Sequence, residues 1–191
     1  MTAADPTALL DILTRELLLA GWSYHPAPDD ARSGRRTDER SFTDPTRTVQ
    51  VHACAYLEAG DLETRLWGVA PGRLAALDPR WWAGVGALAP AVILAAARAA
   101  ITPDPVPARS VQARLRAAGW HLAEQLHEGA RLIEERYGSP DGSRSASWFP
   151  PDPPWDTGGW LITRPDRLRP AADIATTHTP PAVTTALALT D

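Results

Sequence analysis

The central pattern of this sequence is Trp160-Leu161-Ile162, followed by Ile174-Ala175 and then by Pro181-Ala182-Val183. An earlier copy of the pattern reads Trp67-Gly68-Val69, Trp82-Ala83 and Pro90-Ala91-Val92. In each copy the first two runs are short and apolar, as strands are. The third run starts with proline, which is tolerated at the first position of a helix because its missing N–H needs no partner there. Each copy therefore predicts two strands and a closing helix.

Matching residues continue upstream of both copies in the same order: Ala20-Gly21-Trp22 with Ala118-Gly119-Trp120, Phe42 with Tyr137, and Asp44-Pro45 with Ser139-Pro140. The separation between partners falls from 98 residues at the Gly-Trp pair to 91 at the Pro-Ala-Val pair, as their numbers show. A one-directional drift with the elements preserved indicates duplication followed by loop shortening. We therefore predict an α+β fold with two tandem copies of a helix, a four- to five-stranded antiparallel sheet and a helix, related by a pseudo-twofold axis.

Prolines between the copies set the predicted domain boundaries. The run from Thr102 to Pro107 contains three prolines and cannot continue a helix. The prediction is a first repeat at residues 1–101, a Pro-rich linker at 102–108 and a second repeat at 109–191.

The composition predicts a cytoplasmic protein. The formal net charge is −4, and Cys54 is the single cysteine, so no internal disulfide can form. The first apolar run, Leu9 to Ala20, is broken by Asp11, Arg15 and Glu16 and does not resemble a signal peptide. We therefore expect no membrane association.

Several of these residues also resemble a known family. Ser139-Pro140-Asp141-Gly142, Trp148-Phe149, Trp160-Leu161-Ile162 and Pro181-Ala182-Val183 with the Ala-Leu that follows are similar to the SPDY domain of actinobacterial proteins, which often occurs in tandem. Gly142 replaces the tyrosine of the name-giving motif, and the first copy keeps only Asp44-Pro45 of it. The family has no established activity. The resemblance therefore implies a duplicated fold and no catalytic residue.

The titratable residues predict no catalytic, cofactor or metal site. His52 and Cys54 lie on one face of a predicted strand and form a thiol-imidazole pair, but no orienting group or oxyanion site accompanies them. His121 and His127 are six residues apart, which in a strand is about 20 Å, so they cannot share one metal ion. We interpret all four residues as parts of a packed or solvated strand surface.

Arginine and tryptophan supply the remaining candidates for binding. The chain has eight Trp, and all 19 of its basic residues are Arg. The adjacent Trp81 and Trp82 are expected on opposite faces of a strand. One of the two indoles is therefore exposed unless helices pack over it. The candidate binding residues are Arg35, Arg36, Arg40, Arg47, Trp81, Trp82, Arg144, Trp148 and Trp155.

Three functions are compatible with this pattern. The first is a non-enzymatic module for protein-protein interaction, as a homodimer or an adaptor, because surplus tryptophan and an even charge balance suit a protein interface. The alternative is single-stranded nucleic-acid binding, in which bases stack on Trp and phosphates meet Arg. An enzyme of unknown class is the third, and no small-molecule substrate is predicted.

Overall fold

The computed structural model describes residues 5–26, 37–57, 61–69, 81–85, 90–104, 110–152, 158–164 and 171–190. Its helices are α1 (Pro6–Leu19), α2 (Pro90–Ile101), α3 (Val111–Ala117) and α4 (Pro181–Leu189). Its strands are β1 (Ser23–Pro26), β2 (Thr37–Thr43), β3 (Val49–Tyr56), β4 (Asp61–Gly68), β5 (Trp81–Val85), β6 (His121–Glu128), β7 (Arg131–Gly138), β8 (Ser145–Phe149), β9 (Gly159–Arg164) and β10 (Ala171–Thr176).

All ten strands form one antiparallel sheet in the order β1-β2-β3-β4-β5-β10-β9-β8-β7-β6. The prediction of an α+β fold with antiparallel strands is confirmed. The order helix, five strands, helix occurs twice along the chain. The two sets of strands meet where β5 pairs with β10, through Ala83 opposite Ala175 and Gly84 opposite Ile174.

The helices form one layer on one face of the sheet. They contact one another in the sequence α1, α2, α4, α3, and α1, α2 and α4 pack on strands. Strand β3 illustrates how the helices are held on this face. Its alternate residues Val49, Val51, Ala53 and Ala55 are buried on the side that packs against α1. We call this side the helix face. The opposite side, on which none of the described helices packs, is the open face.

The ends of α1 and α3 have the same geometry. Gly21 and Gly119 follow these helices with φ of 83° and 84°, a left-handed conformation that glycine adopts without strain. The next residue in each case, Trp22 or Trp120, is buried with 4% of its surface exposed. The Gly-Trp signals of the sequence thus mark two equivalent helix ends.

The turns after β2 and β7 also match. The N–H of Asp44 donates to the carbonyl of Val49 over 3.1 Å, and the N–H of Ser139 donates to that of Arg144 over 3.0 Å. In both turns the fourth residue has positive φ, at 59° for Arg47. At Gly142 φ is 71°. The glycine that departs from the SPDY motif therefore occupies a left-handed position.

The predicted equivalence of Trp67 with Trp160 is wrong. Val51 and Ala146 each lie seven residues after the first residue of the preceding turn, Asp44 or Ser139, and they pair with Leu66 and Ile162 respectively. Leu66, rather than Trp67, is therefore the counterpart of Ile162 in the first half. Trp160 is buried on the helix face, whereas Trp67 belongs to the open face.

Within the described ranges, none of the helices combines the length and the apolar character that a membrane-spanning segment needs.

Candidate functional site

An apolar strip crosses the middle of the open face. It consists of half-buried or exposed side chains from five strands, which we call the central strip: Trp67, Trp82, Phe149, Leu161 and Ile174. Ile174 is 45% exposed, and its neighbour across the sheet is Gly84, which has no side chain to cover it. Large apolar side chains at the centre of an uncovered sheet are characteristic of a binding surface.

Two clefts meet on the central strip. The larger has a volume of about 480 Å³ and is bounded by Trp67, Trp82 and Ile174. The smaller, of about 360 Å³, also contacts Trp82 and Ile174 and extends to Phe149 and Leu161. Trp82 and Ile174 thus separate two depressions that together follow the strip across the sheet.

Threonines fix the backbone of Trp82 at the junction of the two halves. The hydroxyl of Thr179 donates to the Trp82 carbonyl over 2.9 Å. The hydroxyl of Thr176 lies 3.5 Å from the Trp82 N–H, which donates to it, and 3.1 Å from the Thr179 hydroxyl. Trp82 also pairs directly with Trp67 in the sheet, so its backbone is held both by the threonines and by the neighbouring strand.

One charged flank lies on β2 to β4. Arg65 donates to Glu63 Oε1 from Nε and Nη2, over 3.0 and 2.8 Å. The Tyr56 hydroxyl donates to the other oxygen of Glu63 over 3.2 Å. The Glu39 carboxylate lies beside this pair, with its Oε2 3.6 Å from His52 Nε2. This first flank holds two carboxylates and one guanidinium.

A second charged flank lies on β6 and β7. Arg136 contacts Glu124 Oε2 and Glu134 Oε1, each over 2.9 Å. The Ser147 hydroxyl also donates to Glu134 Oε1, over 2.7 Å. This second flank again holds two carboxylates and one guanidinium. Among the described side chains, the open face is therefore apolar in the middle and carries an excess negative charge on each side.

The His52 and Cys54 pair lies in the first flank and has no features of a nucleophile. Cys54 is buried, and its thiol donates to Glu39 Oε1 over 3.8 Å. Burial raises the pKa of Cys54 to about 11, and the nearby Glu39 carboxylate acts in the same direction. A reactive cysteine needs the opposite, a pKa lowered by nearby positive charge.

The histidines of β6 are far apart. His121 pairs with Gly138 and His127 with Leu132, so they occupy opposite ends of the β6 and β7 hairpin. Over the part of the chain that the structure describes, no group of three or more His, Cys, Asp and Glu residues is arranged to hold a metal ion.

The candidate arginines lie in different environments. Arg40 is on the helix face, where it binds Asp11 and Asp38, each over 2.7 Å, and ties β2 to α1. Arg144 donates to the carbonyls of Ala188 and Thr190 at the end of α4, over 3.1 Å. Arg47 is an exposed turn residue.

Arg144 also stacks on a buried ring, with its guanidinium 5.9 Å from the centre of Trp120. Arg35, Arg36 and Trp155 lie outside the described residues. Two of the three candidate arginines that the structure describes are thus engaged by helices, and the three do not gather beside Trp82.

The candidate tryptophans divide between the two faces. Trp81 packs against the core on the helix face, and Trp82 lies on the open face, so the prediction for this adjacent pair is confirmed. Trp148 packs beside Trp160 on the helix face, with ring centres 5.4 Å apart. Trp82 is therefore the described candidate tryptophan that belongs to the central strip.

Sequence reasoning missed Trp67, Phe149, Leu161 and Ile174 as members of a common surface. The sequence did indicate the face of Trp67, because Trp67 lies two and four residues after the charged Arg65 and Glu63 in β4 and so shares their side of the strand. The other three come from strands that are adjacent only because β5 pairs with β10, a pairing that no local pattern indicates.

No protein-family model, curated protein or solved structure matches this chain. The resemblance to the SPDY family therefore stays a prediction.

Proposed function

We propose that this chain is a non-enzymatic module for protein-protein interaction and that its open face is the binding surface. The central strip is the observation that carries the proposal. Aromatic and aliphatic side chains surrounded by charged ones reproduce the usual anatomy of a protein interface, an apolar core within a polar rim. Burying a strip of this kind supplies the main favourable free energy of association.

The rigidity of the surface supports the same function. The members of the central strip project from hydrogen-bonded strands rather than from loops, and Thr179 holds the Trp82 backbone in place. A surface that is already ordered loses little conformational freedom on binding, which favours affinity.

The duplication belongs to this proposal. The matching helix ends at Gly21 and Gly119 and the matching turns at Asp44 and Ser139 support descent from one ancestral unit. On this view two small sheets joined edge to edge gave one surface long enough for a partner. An adaptor in the cytoplasm that binds a different protein fits better than a homodimer formed through this face, because two copies would bring excess negative charge together.

Binding of single-stranded nucleic acid is the less supported alternative. Trp67 and Trp82 could stack on bases, but Arg65 and Arg136 on this face are paired with glutamates. Phosphates would meet the half-exposed carboxylates of Glu39 and Glu124 instead, on flanks that each hold one more carboxylate than guanidinium.

Selection of displayed peptides tests the proposal. A library of random 16-residue peptides is selected on the purified protein and on the variants Trp82→Ser and Ile174→Ser. We expect enriched peptides that bind the unaltered protein and lose at least about tenfold in affinity for either variant, because a buried apolar anchor contributes more than about 1 kcal/mol.

The matched control is Ile12→Ser. Ile12 lies on α1 and is 41% exposed, close to the 45% of Ile174, but it belongs to the other side of the sheet. Its replacement should leave peptide binding unchanged. Circular dichroism confirms that the variants are folded. A selection in which no peptide depends on Trp82 or Ile174 contradicts the proposed surface.

A further inference from the structure

We propose that the open face binds a basic polypeptide segment with an apolar middle, most simply an amphipathic helix laid across the strands. The inference rests on the proposed function and adds the chemistry of the partner. It is carried by the distribution of charge around the central strip.

The register of the sheet places the two flanks at opposite ends of one row. Arg65 pairs with Gly84, Gly84 with Ile174, Ile174 with Leu161, and the row continues to Arg136: Arg65, Gly84, Ile174, Leu161, Ser147, Arg136. The row crosses six adjacent strands. At about 4.8 Å between strands, its ends are roughly 24 Å apart.

A segment that follows this row therefore has a defined length. A helix rises about 1.5 Å per residue, so roughly 16 residues span the row itself. Glu39 lies on β2, two strands beyond Arg65, and Glu124 lies on β6, one strand beyond Arg136. A helix that reaches both carboxylates spans roughly 38 Å, or about 26 residues. Its middle turns would lie over three apolar side chains, Trp82, Leu161 and Ile174. Apolar residues are required there because polar groups would lose water without gaining partners.

The ends of the segment meet the flanks. Each guanidinium there is already paired, Arg65 with Glu63 and Arg136 with both Glu124 and Glu134. Each flank therefore holds one more carboxylate than guanidinium, and Glu39 and Glu124 are half exposed, at 39% and 46% of their side chains. Lysine or arginine at both ends of the segment is the chemistry that complements them.

The other occupants of such a face fit less well. A second copy of the chain would present the same excess of carboxylates, and nucleic acid would present phosphates. Pairing at the sheet edges is also disfavoured, because β1 is four residues long and ends at Pro26. Strand β6 at the other edge is interrupted by two register shifts.

Two synthetic peptides test the inference. The basic probe has about 26 residues, with lysines in the first and last turns and leucine and phenylalanine on one face between them. The acidic probe replaces each lysine with glutamate. We expect calorimetric titration at 50 mM salt to show roughly tenfold tighter binding of the basic probe, with the preference shrinking as salt is raised to 0.5 M.

Charge variants locate the preference. Replacing the excess carboxylates, as Glu39→Gln with Glu124→Gln, should remove most of the difference between the two probes. The control Glu16→Gln removes a carboxylate from α1, on the other side of the sheet, and should leave the difference intact.

The outcomes separate the two proposals. Binding of both probes with equal affinity, or tighter binding of the acidic one, overturns the inference about charge if Trp82→Ser still abolishes it, and leaves the surface in place. The inference is also overturned if Glu16→Gln acts as strongly as the double variant. Absence of any binding that depends on Trp82 overturns the surface and the inference together.

Discussion

Asp44 shows how a single buried side chain organises a turn. It lies between β2 and β3 with 1% of its surface exposed. Its Oδ1 accepts from the N–H groups of Thr48 and Val49, each over 2.7 Å, and its Oδ2 accepts from the N–H of Thr46 over 2.9 Å. Burial acts to raise the pKa of Asp44, but these hydrogen bonds and one from the Thr46 hydroxyl outweigh burial and lower the pKa.

The lowered pKa predicts a pH-dependent contribution to stability. The carboxylate stabilises the fold fully above the unfolded pKa of about 4, and this stabilisation is lost as pH falls through the lower folded pKa. Asp44→Ala should lower the free energy of unfolding at pH 7 by about 2–3 kcal/mol, because it leaves backbone donors without partners. Urea titrations from pH 7 to pH 2 should show a flatter pH profile for the variant.

Asp44→Asn is the informative comparison, since it keeps one acceptor oxygen but cannot titrate. It should lie between the parent and the alanine variant at pH 7 and share the flatter profile. An unchanged pH profile in both variants would show that Asp44 has no part in acid unfolding.

At the scale of elements, the packing of β4 on β5 depends on a missing side chain. Gly68 is buried and pairs with Trp81, whose indole covers it on the helix face. A Cβ at Gly68 would overlap the Trp81 ring. Gly84, by contrast, lies on the open face, where an added Cβ would be 3.4 Å from Trp82 Cζ3.

Gly68→Ala should therefore destabilise the protein by about 1–3 kcal/mol, the usual cost of overpacking a core. Gly84→Ala, in the partner strand, is the matched control and should change stability by no more than about 0.5 kcal/mol. Chemical denaturation measures both. Equal effects of the two substitutions would show that the contact between Gly68 and Trp81 does not constrain the strands.

At the scale of the whole molecule, the two halves share a sheet and a core. The buried cluster includes Leu13 of α1 and Leu187 of α4, and α2 packs on α4 across the junction of β5 with β10. Two halves that share so much buried surface are expected to unfold together.

Hydrogen exchange tests this cooperativity. Leu13→Ala removes a fully buried side chain from the first half and should cost about 2–5 kcal/mol. We expect the most protected amides of β8 and β9, in the second half, to lose the same free energy of protection as those of β3. Leu19→Ala, at a site that is 77% exposed, is the control and should change neither. Loss of protection confined to residues 5–101 would show that the halves unfold independently.

The sequence by itself determined the antiparallel α+β class, most of the elements and several landmarks of each half, although it predicted a loop for residues 37–41, which belong to β2. Gly21 and Gly119, the turn residues Asp44 and Ser139, and the alternation of β3 all act locally, because they depend on backbone conformation and on a side-chain period of two. The same local rules separated Trp81 from Trp82. These features depend only on residues that are close together in the chain, so the local sequence pattern is enough to predict them.

Only the tertiary structure decided which residues share a surface. The central strip exists because β5 pairs with β10, and that pairing joins strands that lie far apart in the chain. The register that places Trp67 and Trp160 on opposite faces is set by the pairing of whole strands, and the period of two does not specify it. Arg40 and Arg144 bind groups on α1 and at the end of α4, respectively, because long-range packing places acceptor oxygens beside them. Contacts of this kind depend on the whole fold, since their free energy is gained only after distant segments have met.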